Sequence, residues 1–279
     1  MLAGGAPQVV AVHFADPWSV WSWGLEPVVN RVKILYGSQV RIEFRMGGAI
    51  ERLDDWRQRM KLEGPALVEW LKESMRKTGN PADPECLTKG SFTSSFGACT
   101  AVTAAQLMDS GLADRYLRRL MEYLQVRGLP AEPRVLGQAA RDVGLDEHRL
   151  QQKWGEPEVA HAFRAARTEM HRSGREFFDV EYRSLDGKSE VVSKQFHSAA
   201  HMGAIERLAP GLERRPLGSV LQYFQRRGDL ISLREAAEVH GLSDSETQLE
   251  IEKLWKRGEL ERWTYGGAPF WTALRTRPH

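Results

Sequence analysis

A short aromatic segment near the start of the chain constrains its fold more than any other feature. The hydrophobic run Val9–Phe14 is typical of a buried strand, and Asp16-Pro17 interrupts it. Apolar residues then recur at helical spacing within Val28–Leu35. Residues 14–27 therefore predict a tight turn that leads from a strand into a helix.

The residues of this turn, with two later segments, resemble a known family. The pattern Asp-Pro-Trp-x-x-Trp-x-Trp-Gly-x-Glu-Pro at 16–27, then Tyr36-Gly37 and Phe44–Gly48, resembles the cytosolic branch of the DsbA family of thioredoxin-fold proteins. The resemblance implies a turn that reads Asp-Pro-Trp-Cys-x-Trp-Cys-Trp. In that turn the first cysteine is the nucleophile, and the helix N-terminus stabilises its thiolate. Both cysteine positions hold serine here, at Ser19 and Ser22.

The two serines and one further position remove the family's chemistry. A serine hydroxyl has neither the acidity nor the two-electron redox chemistry of a thiol, so Ser19 and Ser22 cannot exchange a disulfide. The resemblance also implies a cis-proline opposite the turn, and Phe178 aligns with that position. A cis bond before a residue other than proline costs about 3 kcal/mol, so we expect a trans Phe178 and an altered groove. We predict no catalytic residue.

The remaining patterns up to Pro210 complete a thioredoxin fold of the α/β class. Residues 52–172 are almost wholly helical in pattern, and the resemblance implies a helical insertion between the two halves of the fold. An Asp-Gly pair marks the hairpin of the second half. Strands are predicted at 40–44, 177–183 and 189–192, a closing helix at 198–208, and the whole domain at 8–210.

Residues 216–279 predict a second, smaller module. Three apolar stripes predict helices that end at Gly228, Gly241 and Gly258. Two strand-like runs follow, separated by the turn 266–269. Three helices and a hairpin resemble a winged helix-turn-helix.

The charges of this module argue against nucleic acid as its partner. The helix that would enter the major groove begins with residues 244–252, which contain four acids and no base. Phosphate contacts supply most of the affinity for DNA, so an acidic leading edge is repelled. Lys253, Lys256 and Arg257 lie where they complement the helix dipole. We therefore predict a protein partner for this module.

Aromatic residues around the first turn suggest a binding surface. In one interpretation, exposed Trp18 and Phe178 form an apolar docking surface, because large aromatic side chains are favoured interface anchors. In the other, Trp21 and Trp23 pack in the core. The predicted surface consists of Asp16, Pro17, Trp18, Ser19, Val20, Trp21, Ser22, Phe177 and Phe178.

Two further pairs of residues are candidate chemical sites. His197 and His201 have a spacing that could present two imidazoles to a metal, but no third ligand stands nearby, so a surface pair without metal is predicted. Cys86 and Cys99 flank a loop that includes residues 89–92, and a redox-sensing pair is one interpretation. A structural role is favoured, because no basic cluster stands beside them to lower a thiol pKa.

Composition and charge limit the function classes. The 279 residues have a net charge of +2, which gives no general attraction to nucleic acid or acidic membranes. Neither a signal peptide nor a membrane-spanning run is found, and two cysteines are too few for a disulfide framework. We expect a cytoplasmic protein whose oligomeric state is left open.

Three functional hypotheses follow. A DsbA-like domain followed by a winged-helix-like module is similar to the adaptor family that delivers the transcription factor Spx to the ClpXP protease. Alternatively, Ser19 binds glutathione, as the serine of this turn does in the related kappa-class glutathione transferases and 2-hydroxychromene-2-carboxylate isomerases. In the third hypothesis the protein is a thiol–disulfide oxidoreductase whose cysteines have been replaced by Ser19 and Ser22.

Overall fold

The computed structural model describes residues 6–88 and 92–274 of the protein. Four strands form one mixed sheet in the order β2-β1-β3-β4, in which β1 and β2 are parallel and the other pairs are antiparallel. The strands are β1 (Val9–Ala15), β2 (Val40–Met46), β3 (Asp179–Ser184) and β4 (Ser189–Ser193). Helices α1 (Val20–Tyr36) and α9 (Ser198–Leu208) pack against the sheet. The predicted thioredoxin fold is confirmed.

The helical insertion lies between β2 and β3, as predicted. Proline in the first turn starts α3, α6 and α8, and a glycine in the left-handed conformation ends each of them. The helices are α2 (Leu53–Met60), α3 (Pro65–Thr78), α4 (Phe96–Met108), α5 (Ser110–Met121), α6 (Pro133–Val143), α7 (Glu147–Trp154) and α8 (Pro157–Ser173). A π-helical segment, Glu122–Val126, continues α5.

The C-terminal residues form three helices and a small antiparallel sheet. Serine caps at Ser219, Ser232 and Ser243 begin the three helices. The elements are α10 (Val220–Arg227), β5 (Ile231–Ser232), α11 (Leu233–His240), α12 (Asp244–Lys256), β6 (Leu260–Tyr265) and β7 (Ala268–Ala273). The sheet order is β5-β7-β6, and the sequence did not indicate β5, because two residues are too few for a strand pattern.

Parts of two predictions lie outside the described residues. These are residues 275–279 of the predicted C-terminal module and residues 89–91 of the loop between the two cysteines. The domain limits at 8–210 and 216–279 stay a prediction. No helix in the described part of the chain is both long and apolar enough to cross a membrane.

A buried ion pair joins the C-terminal module to the thioredoxin-fold part. Arg118 of α5 is almost fully buried, and its Nη2 lies 2.7 Å from Oε2 of Glu235 on α11. Its guanidinium carbon lies 4.3 Å from the ring centroid of Trp23 on α1. Tyr223 of α10 donates a hydrogen bond to Oε1 of Glu235 at 2.6 Å. Helices from three parts of the chain therefore meet at one buried carboxylate.

Glu26 of α1 extends this network. One of its carboxylate oxygens lies 3.6 Å from Arg118 Nη1. Burial raises the pKa of the Glu26 carboxyl, and the positive charge of Arg118 opposes that shift. Asn30, one turn further along α1, donates to Glu235 Oε1 at 3.2 Å. The helix that begins at the predicted site is thus bonded directly to the C-terminal module.

We expect Glu235→Ala to destabilise the protein strongly. The variant leaves the Arg118 guanidinium buried without its main counter-charge, which costs about 3–5 kcal/mol in comparable buried pairs. Urea unfolding measures the loss of unfolding free energy. The matched control is Glu250→Ala on the outer part of α12, which we expect to change that free energy by less than about 0.5 kcal/mol. Equal effects of the two substitutions would show that the ion pair is not a structural contact.

Candidate functional site

The carboxylate of Asp16 organises the turn between β1 and α1. Its Oδ1 accepts a hydrogen bond from the backbone N–H of Trp18 at 2.7 Å. Its Oδ2 accepts from the Ala49 N–H and the Ser95 hydroxyl, each at 2.6 Å, and from the Cys99 thiol at 3.3 Å. Burial raises the pKa of the Asp16 carboxyl, while these donors oppose the shift. Asp16 thus links the turn to the segment after β2 and to α4.

The hydroxyl oxygens of both serines accept hydrogen bonds from the backbone of the turn. Ser19 is the N-cap of α1, and its Oγ accepts a hydrogen bond from the Ser22 N–H at 3.3 Å. Ser22 Oγ accepts from the Asp16 N–H at 3.2 Å. A hydroxyl that accepts one hydrogen bond still has its own proton to donate. Ser19 is therefore a helix cap that can also donate to a ligand.

A cavity of about 620 Å³ opens beside Ser19, and its walls are mainly apolar, with six aromatic side chains among them. Trp21 lies at the centre of the aromatic cluster. Its ring centroid is 5.8 Å from that of Phe178 and 6.2 Å from that of Trp70, both edge-to-face, and it stacks on Phe196 at 5.9 Å. Trp56 continues the cluster, 5.5 Å from Trp70. We call this cavity, lined by residues of α1, α2, α3 and the segment before β3, the aromatic pocket.

Six of the nine predicted site residues line the aromatic pocket. They are Trp18, Ser19, Val20, Trp21, Phe177 and Phe178. Asp16, Pro17 and Ser22 are buried below it and do not belong to its lining. This difference arises because Asp16 and Ser22 turn their polar groups inward to the backbone of the turn.

The expected exposure of Trp18 is wrong. Only 3 % of Trp18 is accessible, because its ring packs 4.3 Å from the ring of Phe92. Trp23 is fully buried, in agreement with the core interpretation, whereas Trp21 is half-buried at the pocket wall. The accessible aromatic surface of the pocket therefore comes from Trp21, Phe177 and Phe178, together with Trp56 and Trp70 of the helical insertion.

Sequence reasoning missed the part of the pocket that the helical insertion supplies. In the sequence, Trp70 belongs to an apolar stripe at helical spacing, and such a stripe does not show what the helix packs against. Met60, 46 % accessible, and Arg59 mark the outer end of α2. The additional lining residues are Ala49, Ile50, Trp56, Arg59, Met60, Trp70, Leu87 and Glu176.

Phe178 occupies the segment directly before β3. Its carbonyl oxygen accepts a hydrogen bond from the Lys194 N–H at 3.3 Å, and the Lys194 ammonium lies 5.3 Å from its ring centroid. No cis peptide bond occurs within the described ranges, so Phe178 is trans, as expected. Its equivalence to the family's cis-proline stays a prediction. Phe178 and Ser19 both line the aromatic pocket.

The histidine pair and the cysteine pair of the sequence analysis both include side chains that are buried within the fold. His201 is fully buried, which contradicts the predicted surface pair: one ring nitrogen contacts the Tyr182 hydroxyl and the other the Gln195 carbonyl, each at 2.8 Å. The described residues contain no cluster of metal-ligating side chains. Cys86 and Cys99 are both buried, and burial beside Asp16 raises the pKa of the Cys99 thiol well above its ordinary value. Such a thiol is a poor nucleophile.

The fold and the turn define the class of protein. A thioredoxin family model matches residues 13–169, more than half of the chain, so this protein belongs to the thioredoxin family. The cytosolic disulfide reductase DsbM from Pseudomonas aeruginosa has a similar fold, with a TM-score of 0.56 over 72 % of this chain and 100 % of that one, at 22 % identity.

Two relatives extend the similarity into the C-terminal module. The ClpXP adapter protein SpxH of Halalkalibacterium halodurans is 25 % identical over 94 % of this chain and 87 % of its own length. SpxH of Shouchella clausii is 23 % identical with the same coverage of both chains. Because each match covers 94 % of this chain, it includes the C-terminal module. The chain is thus a distant homologue of SpxH over most of its length.

We expect Asp16→Ala to unfold the turn. The substitution leaves the buried donors on Trp18, Ala49 and Ser95 without an acceptor, and each buried unsatisfied group costs about 1–3 kcal/mol. Chemical denaturation, followed by tryptophan fluorescence, measures the loss. Asp54→Ala, in the exposed first turn of α2, is the matched control and should cost less than about 1 kcal/mol. A loss no larger than that of the control would contradict the structural role of Asp16.

Proposed function

We propose that this protein is a non-enzymatic adaptor that binds a protein partner through the aromatic pocket and its C-terminal module. The observation that carries the proposal is the pocket itself. At the position of the family's nucleophile stands a serine that caps α1, and around it lies a wide apolar cavity with Trp21 and Phe178 on its walls. The site has the composition of a protein-binding surface and lacks the thiols that disulfide exchange requires.

The similarity to SpxH supports this proposal and suggests the class of partner. Both relatives are named ClpXP adapters, and the match includes the C-terminal module as well as the thioredoxin-fold part. The inferred partner is therefore a protein that is delivered to the ClpXP protease, in the cytoplasm.

The physical properties of the pocket favour an apolar anchor residue of the partner. Trp21 and Phe178 offer half-buried aromatic faces, which lose little conformational entropy when a partner covers them. Arg59 and Glu176 place one charge of each sign at the exposed boundary of the lining. This arrangement, an apolar centre with a polar rim, is typical of protein interfaces.

The C-terminal module is proposed to bind protein rather than DNA. Asp244 and Glu246 are exposed in the first turn of α12, so the end of the helix that would approach DNA is negative. Exposed apolar side chains on the same module, Leu249 and Trp255 on α12 and Trp263 on β6, have the chemistry of interface residues.

We expect Phe178→Ala and Trp21→Ala to weaken partner binding about 30-fold, because central aromatic anchors contribute 2 kcal/mol or more to an interface. The tagged protein is used to retain partners from a native lysate, and the retained protein is then titrated against each variant. Leu185→Ala, an exposed apolar residue at the β3–β4 turn, is the control and should bind like the wild type.

Three results would count against the adaptor proposal. These are the absence of any stoichiometric protein partner, a partner that binds the two pocket variants as tightly as the wild type, and a partner that purified ClpXP degrades no faster when the adaptor is added. Met60→Ala, which removes an exposed lining residue with little effect on the core, separates loss of the pocket surface from loss of folding.

The position of Ser19 supports glutathione binding as a second candidate function. Its hydroxyl stands at the N-terminus of α1, where the helix dipole favours an anion, and its proton is available for a thiolate. If this function holds, calorimetry detects glutathione binding in the millimolar range or tighter, and Ser19→Ala weakens it about tenfold through the lost charge-assisted hydrogen bond. Ser245→Ala on α12 should leave the affinity unchanged. No heat of binding at millimolar glutathione rules this candidate out.

The third hypothesis, a dithiol oxidoreductase with both cysteines replaced, has a separate test. The variant with Ser19→Cys and Ser22→Cys would reduce insulin disulfides if the rest of the site were intact. Inactivity of that variant removes the hypothesis without affecting the adaptor proposal.

A further inference from the structure

A groove follows one of the two outer edges of the thioredoxin-fold sheet. In the order β2-β1-β3-β4 the outer strands are β2 and β4, and the groove lies along β2. A cavity of about 920 Å³ is lined by all seven residues of β2, Val40–Met46, together with residues of α4, α5 and α8. Successive strand residues face opposite sides of a sheet, so a cavity that touches all seven runs along the edge. We call this cavity the edge groove.

Hydrogen bonds at the two ends of β2 show which of its backbone groups face β1. The N–H of Gly47 donates to the carbonyl of Ala15, and the carbonyl of Gln39 accepts from the N–H of Gln8, each at 2.9 Å. The backbone groups of alternate residues of a strand point to opposite edges. The odd-numbered residues of β2 therefore bond to β1, and the even-numbered ones face the groove.

A side chain confirms this orientation and occupies one position of the edge. The Nε2 of Gln106, on α4, donates to the carbonyl of Phe44 at 2.8 Å. Within residues 6–88 and 92–274, no other group bonds to the outward N–H and C=O groups of Ile42 and Phe44. The edge thus presents backbone donors and acceptors that a neighbouring strand would satisfy.

The charges of the groove are already neutralised. Six charged side chains line it, and all of them pair with one another: Lys33 with Asp114, Arg41 with Glu43, and Arg45 with Glu169. Apart from Glu169, whose charge is paired with Arg45, the lining from α8 consists of Ala162, Ala165 and Ala166, which are small and uncharged. A charged occupant would lose hydration without gaining a counter-ion, so the groove is complementary to an uncharged chain.

We propose that the edge groove binds an extended, uncharged segment of a partner protein as a fifth strand beside β2. Seven residues at about 3.3 Å each span about 23 Å, the length of the exposed edge. The incoming strand donates to the Phe44 carbonyl in place of Gln106 and accepts from the outward N–H of Ile42, the arrangement known as β-augmentation. The three alanines of α8 present only small side chains to the incoming strand.

This site is distinct from the aromatic pocket, because the two cavities share no lining residue. The proposal therefore does not depend on the adaptor function. A second copy of this chain does not match that occupant, because its own β2 carries three charged side chains, Arg41, Glu43 and Arg45, rather than an uncharged segment.

Proline at position 42 provides a selective test. The Ile42 N–H faces the groove, so Ile42→Pro removes a donor from the open edge while the bonds from β2 to β1 remain. Ile42→Val keeps the N–H and is the matched control. A library of displayed random heptapeptides is selected on the wild-type protein and counter-selected on Ile42→Pro. We expect the surviving peptides to be uncharged and rich in small and β-branched residues.

A synthetic peptide from that selection then reports the binding mode. It should bind the wild type and Ile42→Val equally, Ile42→Pro about tenfold more weakly, and Gln106→Ala severalfold more tightly, since one competing hydrogen bond is gone. Hydrogen exchange measured by NMR should show peptide-dependent protection of the Ile42 and Phe44 amides. The amides of Arg41, Glu43 and Arg45 should not change, because they already bond to β1.

Several outcomes would overturn the proposal. They are a selection that enriches no peptide, enrichment of charged peptides, equal binding to a folded Ile42→Pro variant, amide protection outside β2, and concentration-dependent self-association that blocks the peptide. Thermal unfolding establishes that Ile42→Pro is folded. If Ile42→Pro does not fold, two measurements on proteins with the native β2 sequence test the binding mode instead. They are the protection of the Ile42 and Phe44 amides in the wild type and the affinity of Gln106→Ala for the peptide.

Discussion

The buried carboxylate of Asp16 is the contact on which the rest of the site depends. It receives hydrogen bonds from the turn itself, from the segment that leaves β2 and from the start of α4, so a single side chain brings together both halves of the site. Burial of a carboxylate is costly unless several donors surround it, and four do so here. The aromatic pocket can form beside Ser19 because this turn holds the start of α1 against the helical insertion.

The same fold can support a different function when the groups at one turn change. Ser19 and Ser22 stand where the family resemblance predicts a redox pair, and their oxygens accept hydrogen bonds from the backbone and so stabilise the helix start. The space beside them is lined by tryptophan and phenylalanine from four parts of the chain. A scaffold that positions a thiolate in the family thus positions an apolar cavity in this protein, which is why the proposed function rests on the pocket.

Helix α1 connects the site to the C-terminal module. Its N-terminus borders the aromatic pocket, while Glu26 and Asn30, further along, contact the buried network of Arg118 and Glu235. The module is therefore held against the thioredoxin-fold part by charges that water cannot reach. Within the described residues, β2 pairs with β1 on one side and with no strand on the other, and Gln106 bonds to one carbonyl of that outer edge.

The sequence by itself determined the order of the elements and the loss of the thiols. Hydrophobic periodicity, the prolines and glycines at helix ends and the Asp-Pro-Trp turn are local signals, and they predicted the thioredoxin fold, its insertion and the helices of the C-terminal module. Only the tertiary structure decided which aromatic residues are accessible. Trp18 is covered by Phe92, and Trp56 and Trp70 reach the pocket from helices far away in the chain. The Asp16 and Arg118 networks likewise join residues more than 30 positions apart. No local pattern records such long-range contacts, because they arise from packing between elements.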